Sequence, residues 1–176
     1  MAALTLKAEE SYQQDTTADK NHTIIMPESK IHPTAIVSPH AKLAEGVTVG
    51  PYSIIYDHVE IGANCVIGPH VVIHDYVRMG SENRLHAHAL IGDIPQDISF
   101  DPATETWVEI GDANTLREGI TIHRSTSPAA PTKVGSNGYL MVYVHVGHDC
   151  TIGDGVVLTL NCILGGHVEV GDNAVL

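Results

Sequence analysis

The sequence predicts an all-β fold: a parallel β-helix of hexapeptide rungs over residues 31–176, with two projecting loops. Three observations predict it, namely aliphatic residues recurring at every sixth position, glycines that follow them, and two segments that leave the period.

The rungs come first. Every sixth residue from Val37 reads Val37, Leu43, Val49, Ile55, Ile61, Ile67, Ile73, Met79, Leu85 and Ile91. The pattern resumes at Ile110, Leu116 and Ile122, and again from Val134 through Leu140, Val146, Ile152, Leu158, Leu164 and Val170 to Leu176. No polar residue occupies these 21 marked positions. Glycine follows at Gly50, Gly62, Gly68, Gly80, Gly92, Gly111, Gly135, Gly147, Gly153, Gly165 and Gly171, where a sharp corner is expected to need unrestricted backbone angles. Two residues before each aliphatic lies a small or β-branched residue (Ala35, Ala41, Val47, Val59, Val71, Val77, Ala89), placed on the same inner face by the strand period of two. Cys65, Cys150 and Cys162 share that slot, so they are expected to be free thiols that fill a narrow core. Six residues cannot bury their own apolar face, so successive rungs must wrap into coils and stack.

Two segments loop out: Asp93 to Trp107, and the Ser-, Pro- and Thr-rich stretch His123 to Lys133. Loops carried on a rigid scaffold are where binding residues collect. Residues 1–30 show no rung pattern and are mostly polar, as expected of a flexible N-terminal arm or an expression remnant.

Composition narrows the function. With 9 Lys and Arg against 21 Asp and Glu, the net charge of −12 opposes binding to nucleic acid or to anionic membrane surfaces. No secretory leader and no run long enough for membrane insertion is apparent, which points to the cytoplasm. Beyond Lys42 the basic residues (Arg78, Arg84, Arg117, Arg124 and Lys133) all fall between positions 78 and 133, and solvated surface is their expected setting.

Most of the 12 histidines are dismissed by position. His40 with His58, and His70 with His88, lie eighteen apart and are expected to form short exposed ladders without metal. The segment His145-Val-Gly-His148-Asp149-Cys150 differs, because Gly165-Gly166-His167 follows it nineteen residues later. Neutral imidazole accepts a proton from an alcohol, a neighbouring carboxylate orients it, and consecutive glycines leave N–H groups open to a carbonyl oxygen. The pattern fits a catalytic base, and equally a satisfied surface histidine.

The strings IHPTAIV (31–37), IGDIPQD (91–97), EIGDANTLREGITIHR (109–124), TKVGSNGYLM (132–141), HVGHDCTIG (145–153) and LGGHVEVGDNA (164–174) resemble the bacterial UDP-N-acetylglucosamine O-acyltransferases that begin lipid A biosynthesis. The resemblance implies a left-handed coil of three rungs, a homotrimer, and acyl transfer from acyl carrier protein to the 3-hydroxyl of a UDP-sugar, with no cofactor or metal. It further implies His148 as general base, Asp149 as its partner and Gly166 as the oxyanion-binding residue. Gln96, Asp97, His123, His145 and His167 would line a cleft between subunits. Three local departures stand out: Ser99 where the family commonly has lysine, Ser125 in the family's HRGT, and Tyr143 at a position usually small and polar. The family's further C-terminal coils and helical region are absent from the sequence, as in a truncated form. Two other readings are a non-catalytic trimeric paralogue and a metal enzyme like the γ-class carbonic anhydrases. The second is disfavoured because two residues, rather than four, separate His145 from His148.

Overall fold

The computed structural model describes residues 30–176, so the expected N-terminal arm, apart from Lys30, lies outside the described residues. Within them the chain forms 21 short strands, from β1 (Lys30–Ile31) to β21 (Glu169–Val170), and no helix long and apolar enough to cross a membrane. The strands deal themselves in rotation into three seven-stranded parallel sheets: sheet I holds β1, β4 and every third strand to β19, while sheets II and III begin with β2 (Ile36–Val37) and β3 (Lys42–Leu43). Three rungs therefore make one coil. Residues eighteen apart pair directly, as in Val49 with Ile67 and Ile55 with Ile73.

The marked aliphatics form the core. Every one from Val49 to Val170 is buried, whereas Val37 and Leu43 are half-buried and Leu176 is 45% exposed. Leu176 closes no strand, and its neighbour Val175 makes only an isolated bridge to Val157. Cys65 and Cys150 are buried free thiols that donate to the carbonyls of Gly80 and Gly165 at 3.1 and 3.0 Å, and burial raises the pKa of both. Cys162 is free and half-buried.

The structure corrects two sequence expectations. First, most of the glycines after the aliphatics are needed for close stacking rather than for backbone freedom; Gly92, with φ of 84°, is the exception that does need it, and a Cβ on Gly165 or Gly171 would meet no neighbour. A Cβ on Gly62 would lie 2.5 Å from the Gly80 carbonyl carbon, and one on Gly135 would lie 2.6 Å from that of Gly153. The left-handed backbone angles fall instead on corner residues with side chains, among them Asn64, His70, Tyr143, Asp149 and His167. Second, the inner slot is not uniformly small or β-branched, because Asn83 and Asn114 occupy it and are buried. The asparagines form a satisfied ladder. Asn114 donates from its backbone N–H and from Nδ2 to Asn83 Oδ1 at 2.9 and 3.1 Å, and both amides reach glycine carbonyls.

The outer faces differ in chemistry. On sheet III the facing residues Lys42, Glu60, Arg78, Glu109 and Lys133 alternate in sign, with Lys42–Glu60 at 2.8 Å and Arg78–Glu109 at 3.2 Å. On sheet II the corresponding column runs Ile36, Ile54, Val72 and Leu90 before reaching Thr121, His145 and Ile163. Both loops leave from the corner between sheets II and III. The first separates β11 (Leu90–Asp93) from β12 (Val108–Ile110), and the second separates β14 (Thr121–His123) from β15 (Thr132–Val134).

Candidate active site

The next turns of that same corner carry the residues singled out in the sequence. His148 and Asp149 follow β17 (His145–Val146), and Gly166 and His167 follow β20 (Ile163–Leu164) one coil on. His148 Nδ1 lies 2.7 Å from Asp149 Oδ2, and both side chains are mostly buried. With Asp149 ionised, that contact assigns the ring proton to Nδ1 and leaves Nε2 as the acceptor. The ring lies directly over Gly166: a Cβ there would come within 2.4 Å of Cε1 and 2.6 Å of Nε2. The Gly166 N–H donates to no acceptor among the described residues. His167 is exposed, with its ring 5.2 Å from that of His148 at 89° and its Nε2 3.7 Å from Asp149 Oδ2.

Asp149 is anchored by a residue to which the sequence patterns assign no role. Thr126, from the second loop, donates its hydroxyl to Oδ2 at 2.7 Å and its N–H to Oδ1 at 3.0 Å. The Asp149 N–H in turn donates to Thr132 Oγ1 at 2.8 Å. Burial pushes the Asp149 carboxyl up, but the hydrogen bonds from His148 and Thr126 outweigh it and hold the group below the usual carboxylate range. The ligand atoms of His148, Asp149 and His167 lie within 4.8 Å of one another, although Oδ2 already accepts from both His148 and Thr126.

His145 sits one strand away, its Nδ1 2.7 Å from Thr121 Oγ1 and its ring edge-on to His123 at 4.9 Å. His123 is 5% exposed and its Nδ1 has no partner. Burial, followed by neighbouring imidazoles, depresses both pKa values. Asp97 is brought within electrostatic reach of His148 and His167 of the same chain. Ser99, at the position of the expected lysine, donates its Oγ and N–H to Asp97 Oδ1 at 2.7 and 2.8 Å. Gln96 is not brought in; it is exposed and makes no hydrogen bond among the described residues. Ser125 is buried and donates to the Ser127 carbonyl, while Tyr143 is exposed and its ring covers Gly119.

Elsewhere the expectations divide. His70 and His88 do stack, at 5.0 Å, but His40 faces Asp57 and His58 stacks on Tyr76. Arg124 is not solvated surface, since it is 6% exposed beneath the first loop.

The comparisons with known proteins agree with this architecture. Residues 40–75 match the bacterial transferase hexapeptide (six repeats). The acyl-[acyl-carrier-protein]–UDP-N-acetylglucosamine O-acyltransferase of Burkholderia ambifaria is 51% identical over 149 residues, covering 84% of this chain and 56% of that protein. Over most of its length the chain is similar to this family of hexapeptide-repeat transferases. Within this family the Pseudomonas putida O-acyltransferase is 50% identical over the same share of the chain. The crystal structure of UDP-N-acetylglucosamine O-acyltransferase from Moraxella catarrhalis superposes with a TM-score of 0.80 at 40% identity, covering 82% of this chain and 56% of that one. The fold is the left-handed parallel β-helix of these transferases. The chain spans somewhat over half the length of these relatives.

Proposed function

We propose that this protein transfers a 3-hydroxyacyl chain from acyl carrier protein to the 3-hydroxyl of UDP-N-acetylglucosamine, the first step of lipid A biosynthesis, with His148 as general base. One observation carries the reading: the 2.7 Å contact between His148 Nδ1 and Asp149, which leaves Nε2 as the ring's acceptor beside the open Gly166 N–H. The sugar hydroxyl gives its proton to Nε2 as its oxygen attacks the thioester carbonyl. The resulting oxyanion is received by the Gly166 N–H. Collapse breaks the carbon–sulfur bond, and the departing phosphopantetheine thiolate takes the proton back from His148. Asp149 keeps the imidazole oriented and stabilises its charged form, while His145, His167, Asp97 and His123 position the acceptor.

The reading needs no metal, because general base and oxyanion donor both come from the chain. A homotrimer is part of it. The column on sheet II, apolar from Ile36, 64% exposed, to Leu90 and again at Ile163, 73% exposed, supports packing against a second copy beside the site. The test is mass spectrometry of products from acyl carrier protein and UDP-N-acetylglucosamine, using this chain and a chain extended to the relatives' length. A sugar nucleotide acylated at its 3-oxygen is expected. Stoichiometric zinc on His148 and His167 in protein purified without added metal would contradict the reading.

A further inference from the structure

The first loop is held down by its two largest rings. Phe100 and Trp107, the only phenylalanine and only tryptophan of the chain, both belong to it. The Arg78 guanidinium lies 3.8 Å over Trp107, Trp107 meets Tyr76 edge-on at 5.4 Å, and Arg124 lies 5.4 Å from both the Tyr76 and Phe100 rings. Arg124 is the centre of this stack. Its Nη2 donates to the Pro102 carbonyl at 3.1 Å and its Nη1 to the Thr104 carbonyl at 3.4 Å, while its own N–H reaches the Asp93 carbonyl at 3.0 Å. Its Nε is buried without an acceptor, and no carboxylate pairs with it among the described residues.

A buried guanidinium with no counter-charge is unfavourable unless its contacts serve another purpose. Both side-chain hydrogen bonds of Arg124 go to the loop, and of the two rings it approaches only Tyr76 belongs to the coil. The loop in turn is stiff where it matters, because the Phe100 N–H closes a turn onto the Asp97 carbonyl at 3.1 Å while Ser99 pins the Asp97 carboxylate. The ring approached by Arg124 and the Asp97 carboxylate thus belong to one turn of four residues.

We propose that Arg124 is a positioning residue: by latching residues 94–107 to the coil it sets Asp97 against His148 and His167, and so governs binding of the sugar acceptor. The inference rests on the acyltransferase reading for its kinetic consequence but not for the latch itself. Lysine does not substitute, because its single ammonium lacks the fork that spans two carbonyls and the plane that stacks on rings.

Two measurements separate the latch from the reaction. In this chain, Arg124→Met is expected to change the emission of Trp107 and to open residues 98–103 to limited proteolysis, with Arg124→Lys intermediate. Phe100→Leu, which leaves Arg124 in place, serves if Arg124→Met does not fold, and it too is expected to free the loop. In the chain extended to the relatives' length, Arg124→Met is expected to raise the KM for UDP-N-acetylglucosamine about tenfold while kcat and the KM for acyl carrier protein hold. Its effect is expected to be non-additive with that of Asp97→Asn. Unchanged emission and proteolysis in all variants would refute the latch whatever the reaction proves to be. A freed loop whose KM effect adds fully to that of Asp97→Asn would refute action through Asp97. If no acyl transfer occurs even in the unsubstituted extended chain, the functional reading falls, and fluorescence and proteolysis alone decide the latch.

Discussion

Substituting Gly166 by alanine tests the site with a single methyl group. The Gly166 backbone lies outside the left-handed region, so alanine is sterically free to adopt its conformation, yet the added Cβ would stand 2.4 Å from His148 Cε1. Carbon atoms separate to about 3.5 Å at closest comfortable contact, so the ring must retreat by roughly 1 Å. A retreat of that size carries Nδ1 from 2.7 Å to beyond hydrogen-bonding distance of Asp149. The lost bond is to a charged carboxylate and costs about 1.5–3 kcal/mol, of which replacing glycine returns about 0.4–1 kcal/mol through the unfolded chain, so the melting temperature should fall by only a few degrees. Catalysis should suffer far more. Misplacing a reacting group by ~1 Å costs on the order of 10²-fold, or about 2.7 kcal/mol of barrier. The assay is single-turnover acyl transfer in the extended chain, beside His148→Ala and the double variant. Gly166→Ala should add little to His148→Ala, since both remove the same positioned base. Near-normal turnover in Gly166→Ala, with the ring shown displaced by crystallography, would refute the reasoning.

Asp149→Asn should lower turnover less than loss of His148 itself, because the base survives but loses the anion that orients it; steady-state kcat measures this. Acidification should destabilise the fold through His123 and His145: their folded pKa values lie below the ordinary 6.5, so below that pH the unfolded chain takes up protons that the folded one refuses. Melting temperatures should therefore fall as pH drops below about 6.5, and His123→Gln should flatten the slope. Asp149, whose pKa is also depressed, loses its contribution only lower, as pH falls below its ordinary 3.8. Val72→Glu, at the middle of the apolar column on sheet II, should shift sedimentation from trimer toward monomer; a protein that is monomeric before substitution would remove the intersubunit cleft from the account.

The coil was legible because its cause is local. An inward aliphatic every six residues needs no knowledge of neighbours, and the structure places each one from Val49 to Val170 in the core. What stayed hidden depends on vertical neighbours across the insertions. Eighteen separates stacked residues in plain coils, as with Lys30 and Thr48, but the loops stretch that interval to 31 between Asn83 and Asn114 and to 24 between Thr121 and His145. The asparagine ladder and the threonine beneath His145 are therefore invisible to a fixed period, and so is Thr126, which reaches Asp149 across 23 residues. Arg124 was misread for a related reason, since only the folded loop supplies the carbonyls that receive its guanidinium. The pairing of His148 with Asp149 was legible, being a contact between adjacent residues. Most of the glycines were found for the wrong reason: the period locates them, but except at Gly92, which does take a left-handed angle, only stacked coils reveal where the missing Cβ matters.

The central claim is that His148 removes the proton from the acceptor hydroxyl. The most direct test is the rate of 3-O-acylation by the His148→Ala chain, extended to the relatives' length and confirmed folded by its melting temperature. A positioned general base contributes about 10²- to 10⁴-fold, so kcat should fall by that factor while acyl carrier protein still binds. Turnover within a few-fold of the unsubstituted protein would assign the proton transfer to another group and contradict the account.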